Sequence, residues 1–321
     1  MPASVIISSW DYTIFIAAVL FFLALDLGVF HKEARVVRFR EAMTWTAVWF
    51  AVAMSFGLLF APLMAENWTR VHRVQFITGY ILELSLSMDN VFVIALIFSY
   101  FGVPLQFQHR VLFWGILGAL IMRGVMIWLG AGLINSFEWM LYVLGAFLVF
   151  TGVKMLFSND ESVEPEKNIM VKLTRRFFPV VHQFHGQKFV IRQGGRWFLT
   201  PLAIVLIMVE TTDLIFAVDS IPAIFGVTKE PFIVFTSNVF AIMGLRSLYF
   251  VLAGAIGYFR YLKIGLSIVL CVIGLKMLLG HFIEIPTALS LGLVLGIIGL
   301  SVALSIVATR REERADNSKT D

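Results

Sequence analysis

The stretch Phe76-Ile-Thr-Gly-Tyr-Ile-Leu-Glu83-Leu-Ser-Leu-Ser-Met-Asp89-Asn90-Val-Phe-Val-Ile-Ala-Leu-Ile-Phe98 decides the fold. It belongs to an apolar run over 73–99, long enough to cross about 30 Å of hydrocarbon as a helix. Yet it holds two carboxylates. Such groups are costly in a bilayer and point by default to an ion or proton pathway. The pattern recurs in a second apolar run, at Asp213-Leu-Ile-Phe-Ala-Val-Asp219-Ser220. Each copy reads carboxylate, five residues, aspartate, then a small polar amide or hydroxyl. Two copies of so costly a pattern are expected to face one another across one site.

The rest of the chain supplies the setting. Of 321 residues, 59% are hydrophobic and only 14% charged, with a mean hydropathy of +0.88. A soluble domain carries about 25% charged residues, so this is an all-α, polytopic membrane protein. The apolar runs predict nine helical spans, at about 11–31, 42–64, 73–99, 109–133, 137–157, 200–225, 231–256, 262–280 and 285–308. The net charge of +4 sits in the loops, which argues against a nucleic-acid surface. The one cysteine, Cys271, excludes an intrachain disulfide. The start of the chain lacks a basic stretch, so no cleavable signal peptide is expected.

Basic residues set the expected orientation. Lys32, Arg35, Arg38 and Arg40, then His109 and Arg110, the bases of the 158–199 loop, Arg260 and Lys263, and Arg310 and Arg311 fall on one side if the N-terminus is outside and the C-terminus cytoplasmic. Arg70 and Arg73 dissent. That orientation suits a bacterial inner membrane. The 158–199 loop opens with an acidic, polar part (159–167) expected to be mobile. It then reads as a small β-hairpin around Gly194-Gly195. His182 and His185 precede the hairpin, but two histidines fall short of a zinc site and read as solvated or interfacial.

An internal repeat extends beyond the acids. Phe150-Thr-Gly-Val-Lys-Met-Leu156 resembles Val272-Ile-Gly-Leu-Lys-Met-Leu278. Arg123 precedes Lys154 by 31 residues, and Arg246 precedes Lys276 by 30. Each unit holds three spans, and an odd number of crossings inserts the second copy upside down, a common transporter design with the site at the midplane. The expected organisation is an N-terminal two-helix segment over 1–72, a first three-helix repeat over 73–157, a cytoplasmic loop over 158–199, an inverted second repeat over 200–280, and a last span with a tail over 281–321.

The candidate metal ligands are Glu83, Asp89, Asn90, Asp213, Asp219 and Ser220, with Glu210, Arg123, Arg246, Asn238, Met88 and Asp26 in support. Four deep acids against two deep arginines leave an excess of negative charge that suits a divalent cation, or protons in its absence. A network of internal salt bridges that only fixes helix packing is the structural alternative. Carboxylate, amide, hydroxyl and carbonyl oxygens suit magnesium, calcium and manganese. The thioether of Met88 would tilt selectivity toward manganese, or simply pack against a neighbouring helix. Asn90 and Ser220 serve equally well as ligands or as helix–helix hydrogen bonds.

On a straight helix, residues six apart lie about 120° apart around the axis and about 9 Å along it. Glu83 and Asp89 therefore form a relay, or the helix opens between them. Pro222 favours a break in the second motif's helix. Ser85, Ser87, Thr211 and Thr212 are positioned to satisfy backbone groups freed by such a break. The expected pairing is Asp89 with Asp219 across the repeat axis, with Glu83 and Asp213 as a second layer or a relay. Lys154 is expected to snorkel to the interface.

The chain resembles the TerC family, and within it the Alx branch, from the first span to the last. The resemblance rests on Ser85-Leu-Ser-Met-Asp-Asn-Val-Phe-Val93, Phe216-Ala-Val-Asp-Ser-Ile-Pro-Ala-Ile-Phe225 and the two Lys-Met-Leu endings. It implies manganese efflux from bacteria and, in some members, manganese supply to exported proteins. Glu83, Asp89, Asp213 and Asp219 would line the metal path. The implied protein is a manganese exporter and not an enzyme. Manganese is its substrate rather than a resident cofactor, and its partners are the ion, protons in antiport, the lipid bilayer, and proteins through the cytoplasmic loop. Two other functions are weighed against it. A membrane chaperone or metallation partner would work through that loop. An intramembrane aspartyl protease would need two aspartates sharing a proton, but the Gly-x-Gly-Asp motif of such enzymes is not found at Asp89 or Asp219.

Overall fold

A computed structural model describes residues 7–25, 39–137, 139–157, 168–181, 183–253, 261–280 and 286–320. Asp26, His182, Arg260 and the acidic stretch 159–167 lie outside the described residues. The described residues are 83% helical, and the protein is polytopic. Its helices are α1 (Ser9–Leu25), α2 (Phe39–Met64), α3 (Arg70–Tyr100), α4 (Leu105–Ser136), α5 (Met140–Phe157), α6 (Ile169–Phe177), α7 (Pro201–Phe225), α8 (Pro231–Ala253), α9 (Leu262–Leu279) and α10 (Thr287–Thr320).

Eight of these are long and apolar enough to cross a membrane. They are α2 to α5 and α7 to α10. The ninth expected span begins in α1, whose apolar stretch Trp10–Ala24 is shorter and is described only to Leu25. Within α2, one π-helical turn, Phe56–Phe60, precedes Pro62. A wider turn accommodates the missing N–H and the ring of a proline without ending the helix.

Neither acidic helix opens. α3 runs unbroken for 31 residues through Glu83 and Asp89, and α7 for 25 residues through Asp213 and Asp219. Pro222 lies inside α7 but only three residues before its end, where the disturbance to the i→i−4 ladder is confined to the last turns. Between the two acids of each motif the backbone stays helical, so no opened turn is left for the neighbouring hydroxyls to satisfy. Ser85 instead donates to the Ile81 carbonyl and Thr211 to that of Ile207, each at 2.7 Å along its own intact helix.

Packing around the two acidic helices is reciprocal. α3 lies against α8 and α7, and α4 lies against the same two helices. α5 and α9 pair with each other. A Cβ on Gly145 would meet the Gly274 carbonyl oxygen at 3.0 Å, and one on Gly152 would meet the Ser267 carbonyl oxygen at 2.8 Å. The pair is thus antiparallel, and glycine lets the backbones touch. In lipid, where no hydrophobic drive separates helix from tail, close van der Waals approach of this kind holds helices together. α8 is the central helix. Of its apolar stretch 94% is buried inside the protein, against 17% for α5 and for α10.

Between α5 and α7 lies a soluble segment. Asn168 caps α6, its side chain accepting from the amides of Met170 and Val171 at 2.9 and 3.2 Å. β1 (Val190–Gln193) and β2 (Arg196–Leu199) pair antiparallel, Gln193 opposite Arg196. Gly194 and Gly195 join them at φ +55° and +80°. A two-residue turn with both φ positive matches the twist of a hairpin and strongly favours glycine there.

Candidate functional site

Four helices bring polar side chains together midway along their length. Asp213 is the middle residue of α7, Glu83 lies near the middle of α3, Arg123 near that of α4, and Asn238 comes from α8. All four are buried, at 7%, 0%, 1% and 0% exposure. At such a depth each polar group needs a partner from the protein.

Arg123 organises the cluster. Its Nε donates to Asp213 Oδ2 at 3.2 Å and Nη2 to Oδ1 at 2.9 Å, a two-pronged contact that suits the planar guanidinium. Its Nη1 donates to Asn238 Oδ1 at 2.8 Å and forms an ion pair with Glu83. Ser87, one turn along α3, donates to Glu83 Oε1 at 3.3 Å, and Asn90 Nδ2 donates to Asp213 Oδ1 at 3.3 Å. Two carboxylates thus share one guanidinium.

Among the described residues seven buried side-chain polar atoms keep no hydrogen-bond partner, and four of them belong to these helices' polar faces: Glu83 Oε2, Asn90 Oδ1, Ser220 Oγ and Asn238 Nδ2. Asn90 stands seven residues after Glu83, and Ser220 seven after Asp213. Seven residues are about two turns, so each pair shares a helix face. Asp89 and Asp219 stand six residues on and turn off that face. Asn90 and Ser220 are buried, whereas Asp89 and Asp219 are partly exposed.

Glu83 and Asp213 meet, through Arg123, in the buried layer. Asp219 lies close to Thr151 and Lys154 of α5. Lys154, expected to serve only as an interface anchor, thus also faces a carboxylate.

The remaining candidates are dispersed. Glu210, one turn before Asp213, lies on Gly118 of α4, where any Cβ would overlap its carboxylate. Arg246 is 8% exposed and meets His109 Nε2 through Nη1 at 3.1 Å. Met88 packs against the apolar cluster of Val205, Leu248 and Tyr249, as its bland reading expects. Sequence reasoning missed Gly115 and Gly118. A Gly-x-x-Gly pair next to an acidic helix is itself a signal of close approach. Ser87, expected as a donor to freed backbone, donates instead to the Glu83 carboxylate. Among the described residues, no three histidine, cysteine, aspartate or glutamate side chains form a group able to hold a metal ion. In this arrangement Arg123 occupies the space between the two deepest carboxylates.

Comparison with known proteins agrees with this architecture. The chain is 47% identical over 305 residues to "Uncharacterized membrane protein STKORF319" of Myxococcus xanthus, covering 94% of this chain and 93% of the relative. It is 44% identical over 306 residues to "Putative membrane-bound redox modulator Alx" of Salmonella typhi (94% and 95% covered), and 42% identical over 305 residues to the protein of that name in Escherichia coli K12 (94% and 95%). No solved structure matches. Residues 68–315, which contain every residue of the buried cluster, match the Integral membrane protein TerC family. The chain therefore belongs to the TerC family of integral membrane proteins.

Proposed function

We propose that this protein carries a divalent cation, manganese foremost, out of the cell across the bacterial inner membrane, through the buried cluster of α3, α4, α7 and α8. One observation carries the reading. Three oxygens without a partner (Glu83 Oε2, Asn90 Oδ1 and Ser220 Oγ) are buried on the faces that also hold Glu83 and Asp213. Oxygens of this mixed kind are what manganese, magnesium and calcium take as ligands. Carboxylates and neutral oxygens placed two turns apart form a ladder along the path rather than one closed shell.

Arg123 is the internal substitute for the ion. With no cation in the path, its charge neutralises one of the two deepest acids and holds both in place. An arriving cation draws Glu83 away from the guanidinium, while the firmer two-pronged contact keeps Arg123 on Asp213. A proton serves the same end on the return step, since a buried carboxylate without a counter-charge gains affinity for protons. The direction is outward by the resemblance. The N-terminus is outside and the C-terminus cytoplasmic by the distribution of bases.

The contacts support an inverted repeat. Gly152 and Gly274 hold the same position in the two Gly-x-Lys-Met-Leu motifs, and Gly145 and Ser267 each lie seven residues earlier. The contacts Gly145 with Gly274 and Gly152 with Ser267 are then images of one another. A protease reading is disfavoured, because the carboxylates that converge are separated by a guanidinium instead of sharing a proton. A thiol-based reading of the relatives' redox name is disfavoured by the single cysteine. Asp213→Asn and Glu83→Gln variants, assayed for cellular manganese under manganese stress, test the proposal. It predicts manganese accumulation at normal protein levels, and wild-type efflux in both would refute it.

A further inference from the structure

We propose that a cavity of about 540 Å³ at the basic end of the helix bundle binds the headgroup of an anionic phospholipid, with Arg175 as its phosphate ligand. The cavity lies where α3 ends and α7 begins, which is the level at which the spans leave the hydrocarbon. It is lined by Tyr100 and Phe101, by Ile204 of α7, and by Val180, Val181 and Phe184 of the connecting segment, with Arg175 of α6 as the lining cation. Its size falls within the usual range for small-ligand pockets. A lining that mixes apolar side chains with polar surface and one guanidinium matches an amphiphile whose polar end is a phosphate.

α6 has the build of an interfacial helix. Val171 is 1% exposed and joins the core cluster next to α7. Ile169, Met170, Leu173 and Phe177 are exposed and share one face, while Lys172, Arg175 and Arg176 occupy another. A short helix with an outward apolar face and flanking bases rests at the headgroup boundary. The surrounding charge is of one sign. From Asn168 to Thr200 the chain has six lysines and arginines and no aspartate or glutamate. That surface attracts acidic lipids, and Arg175 would repel the cationic end of a zwitterionic headgroup brought against it.

The experiment is native mass spectrometry of the full chain after exposure to equal amounts of phosphatidylglycerol and phosphatidylcholine. The wild type is expected to retain phosphatidylglycerol. Arg175→Gln should lower that occupancy roughly fivefold, the share of one interfacial cation. Val181→Trp, which fills the cavity without changing charge, should lower it as well. Arg192→Gln, a hairpin arginine over the Trp197 ring, should leave it unchanged. Equal retention of phosphatidylglycerol by all four proteins would overturn the proposal, as would equal retention of the two lipids by the wild type. Displacement of the lipid by glycerol 3-phosphate at comparable concentration would assign the site to soluble phosphates and also overturn it. A dimer formed in place of lipid adducts would give the surface to a second copy, with the same consequence. If Arg175→Gln does not fold, Val181→Trp decides alone.

Discussion

Two layers of acids lie along the same helices and have opposite characters. Glu83 and Asp213 are buried and share Arg123, whose guanidinium spends its donors on both and on Asn238. Asp219, six residues farther along α7, is partly exposed and reaches sideways to Thr151, near Lys154 of α5. The first is a buried network with a few oxygens left over, whereas the second is a looser contact at its flank. The difference shows that helix phase, more than acidity, selects which acids are buried. Residues seven apart stay on the buried face, and residues six apart leave it.

Breaking the inner layer has the largest expected effect. Arg123→Gln strands two buried carboxylates, and removal of one partner from such a network costs about 3–5 kcal/mol. Membrane-inserted protein should fall sharply, as read by immunoblot and thermal aggregation in detergent. Adding Asp213→Asn and Glu83→Gln to Arg123→Gln should restore much of it. Gly152→Val attacks the scaffold instead, forcing α5 off the Ser267 carbonyl at a cost of about 1–3 kcal/mol. Its melting temperature should drop while metal selectivity stays the same.

The outer layer should respond more mildly. Asp219→Asn is expected to cost at most about 1 kcal/mol, because a partly exposed ion pair is worth little. Manganese efflux should then change by no more than about fivefold. An effect of Asp219→Asn as large as that of Asp213→Asn would erase the distinction between layers. The smallest expected change is in stability for Asn90→Ala. A single interhelical hydrogen bond in a membrane averages about 0.6 kcal/mol. The transport reading predicts that this variant loses ion affinity well before it loses stability.

Much of this was legible in the residues. Apolar run length located the spans, because every backbone group in lipid must be paired within a helix. Gly194-Gly195 marked the hairpin, since few other residues take positive φ twice in succession. The inner layer was harder to see. Glu83, Asp213 and Arg123 were all named, but which acids meet depends on how four helices rotate against each other, and spacing along one helix does not contain that. Asn90 and Ser220 carried the usable clue in their seven-residue offset, masked by attention to charge. The break expected at Pro222 did not form, and the helix runs on through it to Phe225. α6 escaped notice because its outward apolar face and basic residues interleave in nine residues and show no span-like run.

The most direct measurement is uptake of radioactive manganese by inverted membrane vesicles, comparing the wild type, Asp213→Asn and Asp219→Asn at equal protein, with and without an acid interior. The account predicts uptake by the wild type that increases with the acid interior, near-background uptake by Asp213→Asn, and substantial uptake by Asp219→Asn. Wild-type uptake by Asp213→Asn would contradict it.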